Sequence, residues 1–124
     1  MDLRLAGGTL KAGRSLAWAL ALAAAMPALP AASAQEAGAD AIEAGRQLYV
    51  SACARCHGIK LATSGIGFDL RTLTPHDKER FLRSVTNGLR AMPAWGGTLK
   101  PEQMELIWSY IGSVNGWQTA ASSR

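Results

Sequence analysis

Three stretches of the chain carry apolar residues at helical spacing, and two stretches between them carry no period at all. Ala41, Gly45, Leu48 and Ala52 share one face with Ile42 and Tyr49, and Asp40 is suited to cap the helix that they define. A second helix is predicted from Thr74-Pro75-His76-Asp77. Thr74 caps, Pro75 takes the first helical position and Asp77 reaches back. Phe81, Leu82 and Val85 form its apolar face, and Gly88 is expected to end it as a left-handed C-cap. The last helix starts near Pro101. Met104, Ile107, Trp108 and Ile111 fall at i, i+3, i+4 and i+7, and Gly112 or Gly116 stops it. Residues 58–73 and 89–98 read as loops. No strand alternation and no repeat is visible. The pattern predicts an all-α domain of three main helices and long loops. Such loops in so short a chain need a body to cover.

The N-terminal third has a different character. Arg4, Lys11 and Arg14 precede an apolar run from Leu16 to Met26, Pro27 and Pro30 follow, and Ala32-Ser33-Ala34 supplies small residues for a peptidase. Residues 1–34 therefore read as a signal peptide cleaved before Gln35, and the protein is expected to be periplasmic. The run is about half of the ~20 residues that a membrane span needs, so no stable span is expected after cleavage. Retention of the segment as an anchor is the rival reading. Residues 35–39 read as a flexible start, 40–116 as the domain and 117–124 as a loose tail.

This division changes the meaning of the charge. The 124 residues carry 13 Lys and Arg against nine Asp and Glu. Three of the bases and one of the acids lie in the signal segment, which leaves a remainder only weakly basic. Nothing here argues for nucleic acid. A stable oligomer is not expected either; the chain is read as a monomer.

The chain has two cysteines, and they sit in Cys53-Ala54-Arg55-Cys56-His57. A disulfide across so short a loop would constrain the unfolded chain little. A thioredoxin-like pair wants a βαβ setting, and a structural zinc wants four ligands. Cys-x-x-Cys-His is instead the attachment sequence for c-type haem, with iron at its centre. The thiols add across two vinyl groups on one porphyrin edge, and the following His57 then lies under the ring to coordinate iron. For the second axial position the candidates are Met92, Met104 and His76. Met92 stands in a loop and is stiffened by Pro93, whereas Met104 belongs to an apolar helix face and His76 to a charged turn. Met92 is the expected ligand. His/Met ligation leaves no open position and suits electron exchange.

Several of these segments together resemble class I, mitochondrial-type c-type cytochromes. They are Gly45-x-x-x-Tyr49-x-x-x-Cys53-x-x-Cys56-His57, Ile107-x-x-Tyr110-Ile111 and Met92-Pro93-Ala94-Trp95-Gly96, and the similarity covers 41–114. The resemblance implies a cytochrome c fold wrapped around one covalent haem, with the first and last helices crossing where Gly45 admits Tyr110. It also exposes a departure. Family members often carry a proline after the attachment motif, whose carbonyl orients the proximal His; none lies between His57 and Pro75. A carbonyl within 63–68 is expected to serve instead. A narrower similarity, through Gly67-Phe68-Asp69-Leu70-Arg71, Asp77-Lys78-Glu79-Arg80-Phe81 and Ala91-Met92-Pro93-x-Trp95, is to small cytochromes that accept electrons from quinoprotein (pyrroloquinoline quinone) alcohol dehydrogenases.

The expectation is a single-electron carrier, not an enzyme. The narrower resemblance implies a quinoprotein dehydrogenase as donor and a terminal oxidase as acceptor, with general shuttling to a terminal oxidase as the competing reading. The alternatives are a haem subunit fixed in a larger redox complex, or a haem enzyme or gas binder with an open sixth site. Phe68, Leu70 and Leu73 are expected to line the haem pocket, and Arg71 and Trp95 are candidate partners of its propionates. Trp108 reads as core. Ala54, Ile59, Ala91, Pro93 and Ala94 would ring the exposed edge. Arg55, Lys60 and Arg90 lie nearby, either steering an acidic partner or serving solubility.

Overall fold

The computed structural model describes residues 31–118, with side chains from residue 33 onward. The signal-peptide expectation thus lies largely outside the described residues. The order is α1 (Ala31–Ala52), α2 (Ala54–His57), α3 (Lys78–Asn87) and α4 (Pro101–Asn115), with 3-10 turns at Ile59–Leu61, Leu70–Thr72 and Pro75–Asp77. Among the described residues there is no named strand; Leu89 and Met92 form one isolated bridge. The all-α prediction with three main helices is met by α1, α3 and α4.

α1 begins earlier than Asp40, so the residues expected to form a flexible start are helical. Ala, Gln and Glu dominate this stretch and all have high helix propensity, so no stop signal precedes the apolar face. That face packs on α4. A methyl group on Gly45 would be driven into the Leu106 carbonyl and would come within 3.2 Å of Tyr110 Cβ. Only glycine permits this crossing distance. One turn on, the Tyr49 and Tyr110 rings tilt against each other at 5.2 Å. Tyr49, Leu61, Ile107 and Ile111 are almost wholly buried, and Met104, Trp108, Phe81 and Val85 extend the core toward α3.

α3 enters through its capping residues. The Asp77 carboxylate accepts from both the Thr74 N–H and the Thr74 hydroxyl, each at 2.9 Å. The first turn, Pro75–Asp77, is 3-10 rather than α, so the α-helix proper begins at Lys78. Gly88 ends α3 with positive φ as predicted. Its ψ is 163°, however, which is extended rather than left-handed helical. The chain is thereby sent outward into the methionine loop. The left-handed cap stands at the end of α4 instead: Gly116 has φ 79° and ψ 6°. There the Trp117 N–H donates to the Gly112 carbonyl at 3.1 Å and the Gly116 N–H to Ser113 at 3.4 Å, a Schellman arrangement.

This cap decides the fate of the first residues of the expected tail. Trp117 packs on Trp108 at 4.9 Å and donates its indole N–H to the Leu73 carbonyl at 3.1 Å. Gln118 donates to the Ser109 hydroxyl. Asn115 donates to the Leu70 carbonyl at 3.0 Å. The C-terminal end of α4 therefore clamps the 70–73 segment, and the Schellman turn aims Trp117 back at the core. Residues 119–124 lie outside the described residues.

Candidate functional site

Cys53 closes α1 and Cys56 and His57 lie on the single turn of α2, so the attachment motif is one continuous helical corner. The His57 N–H donates to the Cys53 carbonyl at 2.9 Å and the Gly58 N–H to Ala54 at 2.8 Å. Beneath it the Tyr49 hydroxyl donates to the Gly58 carbonyl at 2.6 Å. Burial pushes the Tyr49 phenol well above its usual range, so it stays a donor. Tyr49 was read from sequence as a helix-face residue; its tie to the turn after His57 was not legible there.

The two cysteines are not bonded to each other. Burial pushes the Cys53 thiol up to about 11, with Cys56 beside it adding to the rise. A reactive redox thiolate would be shifted the other way. Among the described residues no group of three or more His, Cys, Asp or Glu is placed to hold a metal ion. An iron that already has four porphyrin nitrogens needs only axial ligands, and this donor set suits that demand.

The imidazole supplies the sharpest observation. His57 Nδ1 lies 2.9 Å from the Phe68 carbonyl oxygen. A carbonyl can only accept, so Nδ1 is the donor, and of the two neutral tautomers this bond selects the one with its lone pair on Nε2. That is the state of a metal-ligating histidine. The expected substitute for the missing proline is thus Phe68, at the end of the anticipated window. Gly67 makes the approach possible. Its N–H donates to the Cys56 carbonyl at 2.9 Å, and a Cβ there would meet that carbonyl and His57 Nδ1, both at 2.8 Å.

Met92 is presented by the other loop. The Leu89 N–H donates to the Met92 carbonyl at 3.1 Å and the Met92 N–H to the Leu89 carbonyl at 3.0 Å. The turn between them is tight, with Arg90 at φ 55°. The Trp95 and Gly96 N–H groups then bond to the Val85 and Thr86 carbonyls at the end of α3. Gly88 lets the loop backbone lie on it: a Cβ would stand 2.8 Å from the Met92 carbonyl. Met104, by contrast, is buried, and its sulfur accepts from the Thr86 hydroxyl at 3.5 Å. His76 is exposed on the Pro75–Asp77 turn.

The remaining candidates divide. Leu70 and Leu73 are buried in the core cluster, while Phe68 is exposed beside the attachment corner. Trp95 is half-buried against the core, and its indole N–H makes no hydrogen bond among the described residues. Arg71 has a partner of its own: its guanidinium donates to both Asp69 oxygens, at 2.9 and 2.7 Å. Arg55, Lys60 and Arg90 are exposed.

Residues 40–111 match the family described as cytochrome C oxidase, cbb3-type, subunit III. The chain belongs to the class I monohaem cytochrome c family. The cytochrome is 39% identical over 72 residues to quinohemoprotein alcohol dehydrogenase ADH-IIG of Pseudomonas putida, covering 56% of this chain and 10% of that one. It is 33% identical over 78 residues to cytochrome c6 of Nostoc sp., covering 59% of this chain and 69% of that one. It is 35% identical over 82 residues to cytochrome c550 of Pseudomonas aeruginosa, covering 60% of this chain and 57% of that one. The chain spans only about a tenth of the length of the dehydrogenase relatives that it matches. No solved structure gives a significant match. The family carries one covalent haem c, and Cys53, Cys56 and His57 stand at the spacing that attaches it. No helix among the described residues is long and apolar enough to cross a membrane.

Proposed function

We propose that this cytochrome is an exported, periplasmic single-electron carrier in which Cys53 and Cys56 bind haem c and His57 and Met92 are its axial ligands. The observation that carries the reading is the bond from His57 Nδ1 to the Phe68 carbonyl, which turns Nε2 of the ring to the coordinating role. Haem c supplies a one-electron iron centre when bound. The protein's part is to hold two ligands in place and to keep other molecules from the iron. His57 is held by α2 and Phe68. Met92 is held by its reciprocal bonds to Leu89 and by the Trp95 and Gly96 bonds to α3. With both positions filled by side chains, no site remains for oxygen or peroxide, which separates this reading from a gas binder or haem enzyme. The free indole N–H of Trp95 makes it the better-placed propionate donor. Arg71 could take that role only by sharing its contact with Asp69. Ile59, Ala91, Pro93 and Ala94 are exposed on the two ligand loops and form the proposed rim for electron exchange.

The similarity to quinohemoprotein dehydrogenases supports a quinoprotein dehydrogenase as donor, with a terminal oxidase as acceptor. A second reading is a haem subunit held in a larger complex. It is favoured by the family's description as an oxidase subunit and by relatives in which such a segment is part of a longer chain. Residues 1–34 are proposed to direct export and to be removed before Gln35.

Absorption spectra of purified protein test the ligand set. Wild type is expected to be low-spin, with the weak far-red sulfur-to-iron band in the ferric state and no carbon monoxide binding in the ferrous state. Met92→Ala is expected to lose that band and bind carbon monoxide. An unchanged spectrum would assign the sixth ligand elsewhere. Sedimentation of the native protein with and without its donor separates a free carrier from a fixed subunit.

A further inference from the structure

The bond that sets the state of His57 depends on a carbonyl belonging to a residue with no covalent restraint on its backbone. Phe68 lies in a segment without regular structure. Its two neighbours are anchored. The Gly67 carbonyl accepts from the Thr63 hydroxyl at 2.8 Å, while its N–H bonds to Cys56. The Asp69 carbonyl accepts from the Thr72 hydroxyl at 2.8 Å. Phe68 itself has a different restraint. The Arg80 guanidinium lies over its ring, 5.9 Å from the centroid. Arg80 is in turn tied to Asp77 at 2.9 Å, the residue that also closes the N-terminal turn before α3. A line of contacts therefore runs from the start of α3 through Asp77, Arg80 and Phe68 to His57 Nδ1.

We propose that Arg80 is a positioning residue for the axial histidine: by lying over the Phe68 ring from the first turn of α3, it keeps the Phe68 carbonyl aimed at His57 Nδ1. The inference rests on the reading of His57 as an iron ligand. A carbonyl bonded to Nδ1 makes the imidazole a stronger donor and favours ferric iron. Loosening Phe68 weakens that bond, exposes the Nδ1 proton to solvent and raises the reduction potential. Arginine suits the role because its planar guanidinium both stacks on a ring and pairs with a carboxylate. Lysine keeps the charge but loses the flat face.

The test uses holoprotein with reduced, diamagnetic iron. Hydrogen exchange of the His57 Nδ1 proton is followed by NMR, and the potential is measured by redox titration. Arg80→Lys is expected to exchange about two- to fivefold faster, the factor that an exposed cation–π contact supports. Its potential should shift upward although the charge is unchanged. Phe68→Leu should behave in the same way, Phe68→Tyr should restore both readouts, and Arg80→Lys combined with Phe68→Leu should be no worse than either alone. Unchanged exchange and potential in Arg80→Lys would overturn the proposal, as would fully additive effects in the double variant. Wild type lacking ring-current-shifted His57 signals would overturn the ligand reading beneath it, an outcome distinct from the first two.

Discussion

Single residues set the tolerances of this site, and glycine shows it most plainly. Gly45 is placed where any side chain meets the Leu106 carbonyl. Backbone in the middle of α4 cannot yield as a flexible side chain would. Gly45→Ala is expected to destabilise the fold by about 1–3 kcal/mol or more, read as a lower urea midpoint with the absorption spectrum retained. Gly67→Ala acts elsewhere. Its methyl group would push on His57 and Cys56 rather than on the core. The expected result is a changed haem spectrum out of proportion to the loss of stability. Tyr49→Phe removes the donor to Gly58 and strands that carbonyl, at a cost of about 1–3 kcal/mol if water does not replace it.

At the scale of elements, the loops are ordered by the ends of helices. The methionine loop is zipped to the last turn of α3, and the 70–73 segment is pinned by the end of α4. Trp117 carries part of that second clamp. Trp117→Phe keeps most of the packing on Trp108 but deletes the bond to Leu73, and about 1 kcal/mol is expected to be lost. Trp117→Ala also removes the ring contact and should lose distinctly more. Thermal unfolding of the two variants separates the terms. The turn after His57 has the opposite character. Lys60 and Leu61 both have positive φ, at 54° and 64°, and Leu61 is wholly buried. Burial of Leu61 offsets the backbone strain, while exposed Lys60 gains nothing comparable. Lys60→Gly is therefore expected to stabilise the protein by roughly 0.5–1 kcal/mol in urea melts.

Across the molecule, none of the described charged residues is buried, and three carboxylates are held in local pairs. The Arg46 guanidinium holds the Glu43 carboxyl at about 2, below its ordinary 4.5, and Arg71 holds Asp69 at about 2, below 3.8. Bonds from Thr74 lower Asp77 as well. Each folded-state value is depressed, so each contribution is present above the unfolded-state value and is lost as pH falls through the folded one. Stability should decline between about pH 4.5 and 2. These groups are exposed, so added salt should flatten the decline. Urea midpoints across that range at low and high salt check both points, and Glu43→Gln should reduce the slope.

Much of this architecture is written in local patterns. The attachment motif, the cap at Thr74 and Asp77, and the core face of α4 follow from spacings of a few residues, where one helix period or one covalent reaction decides the outcome; the crossing at Gly45 came from the family resemblance. Met92 was separable from Met104 because a loop methionine and a helix-face methionine differ in pattern. The partner of His57 was legible only as a window, since choosing among carbonyls in an irregular segment depends on where Gly67 and Arg80 bring the chain in space. The clamp by Trp117 was hidden for the same reason. A tryptophan after a glycine reads as tail until the left-handed turn at Gly116 returns it to Leu73. Periodicity and motif chemistry determined the elements and the haem attachment. Contacts between residues far apart in sequence decided which carbonyl aims the histidine and which side chains hold it there.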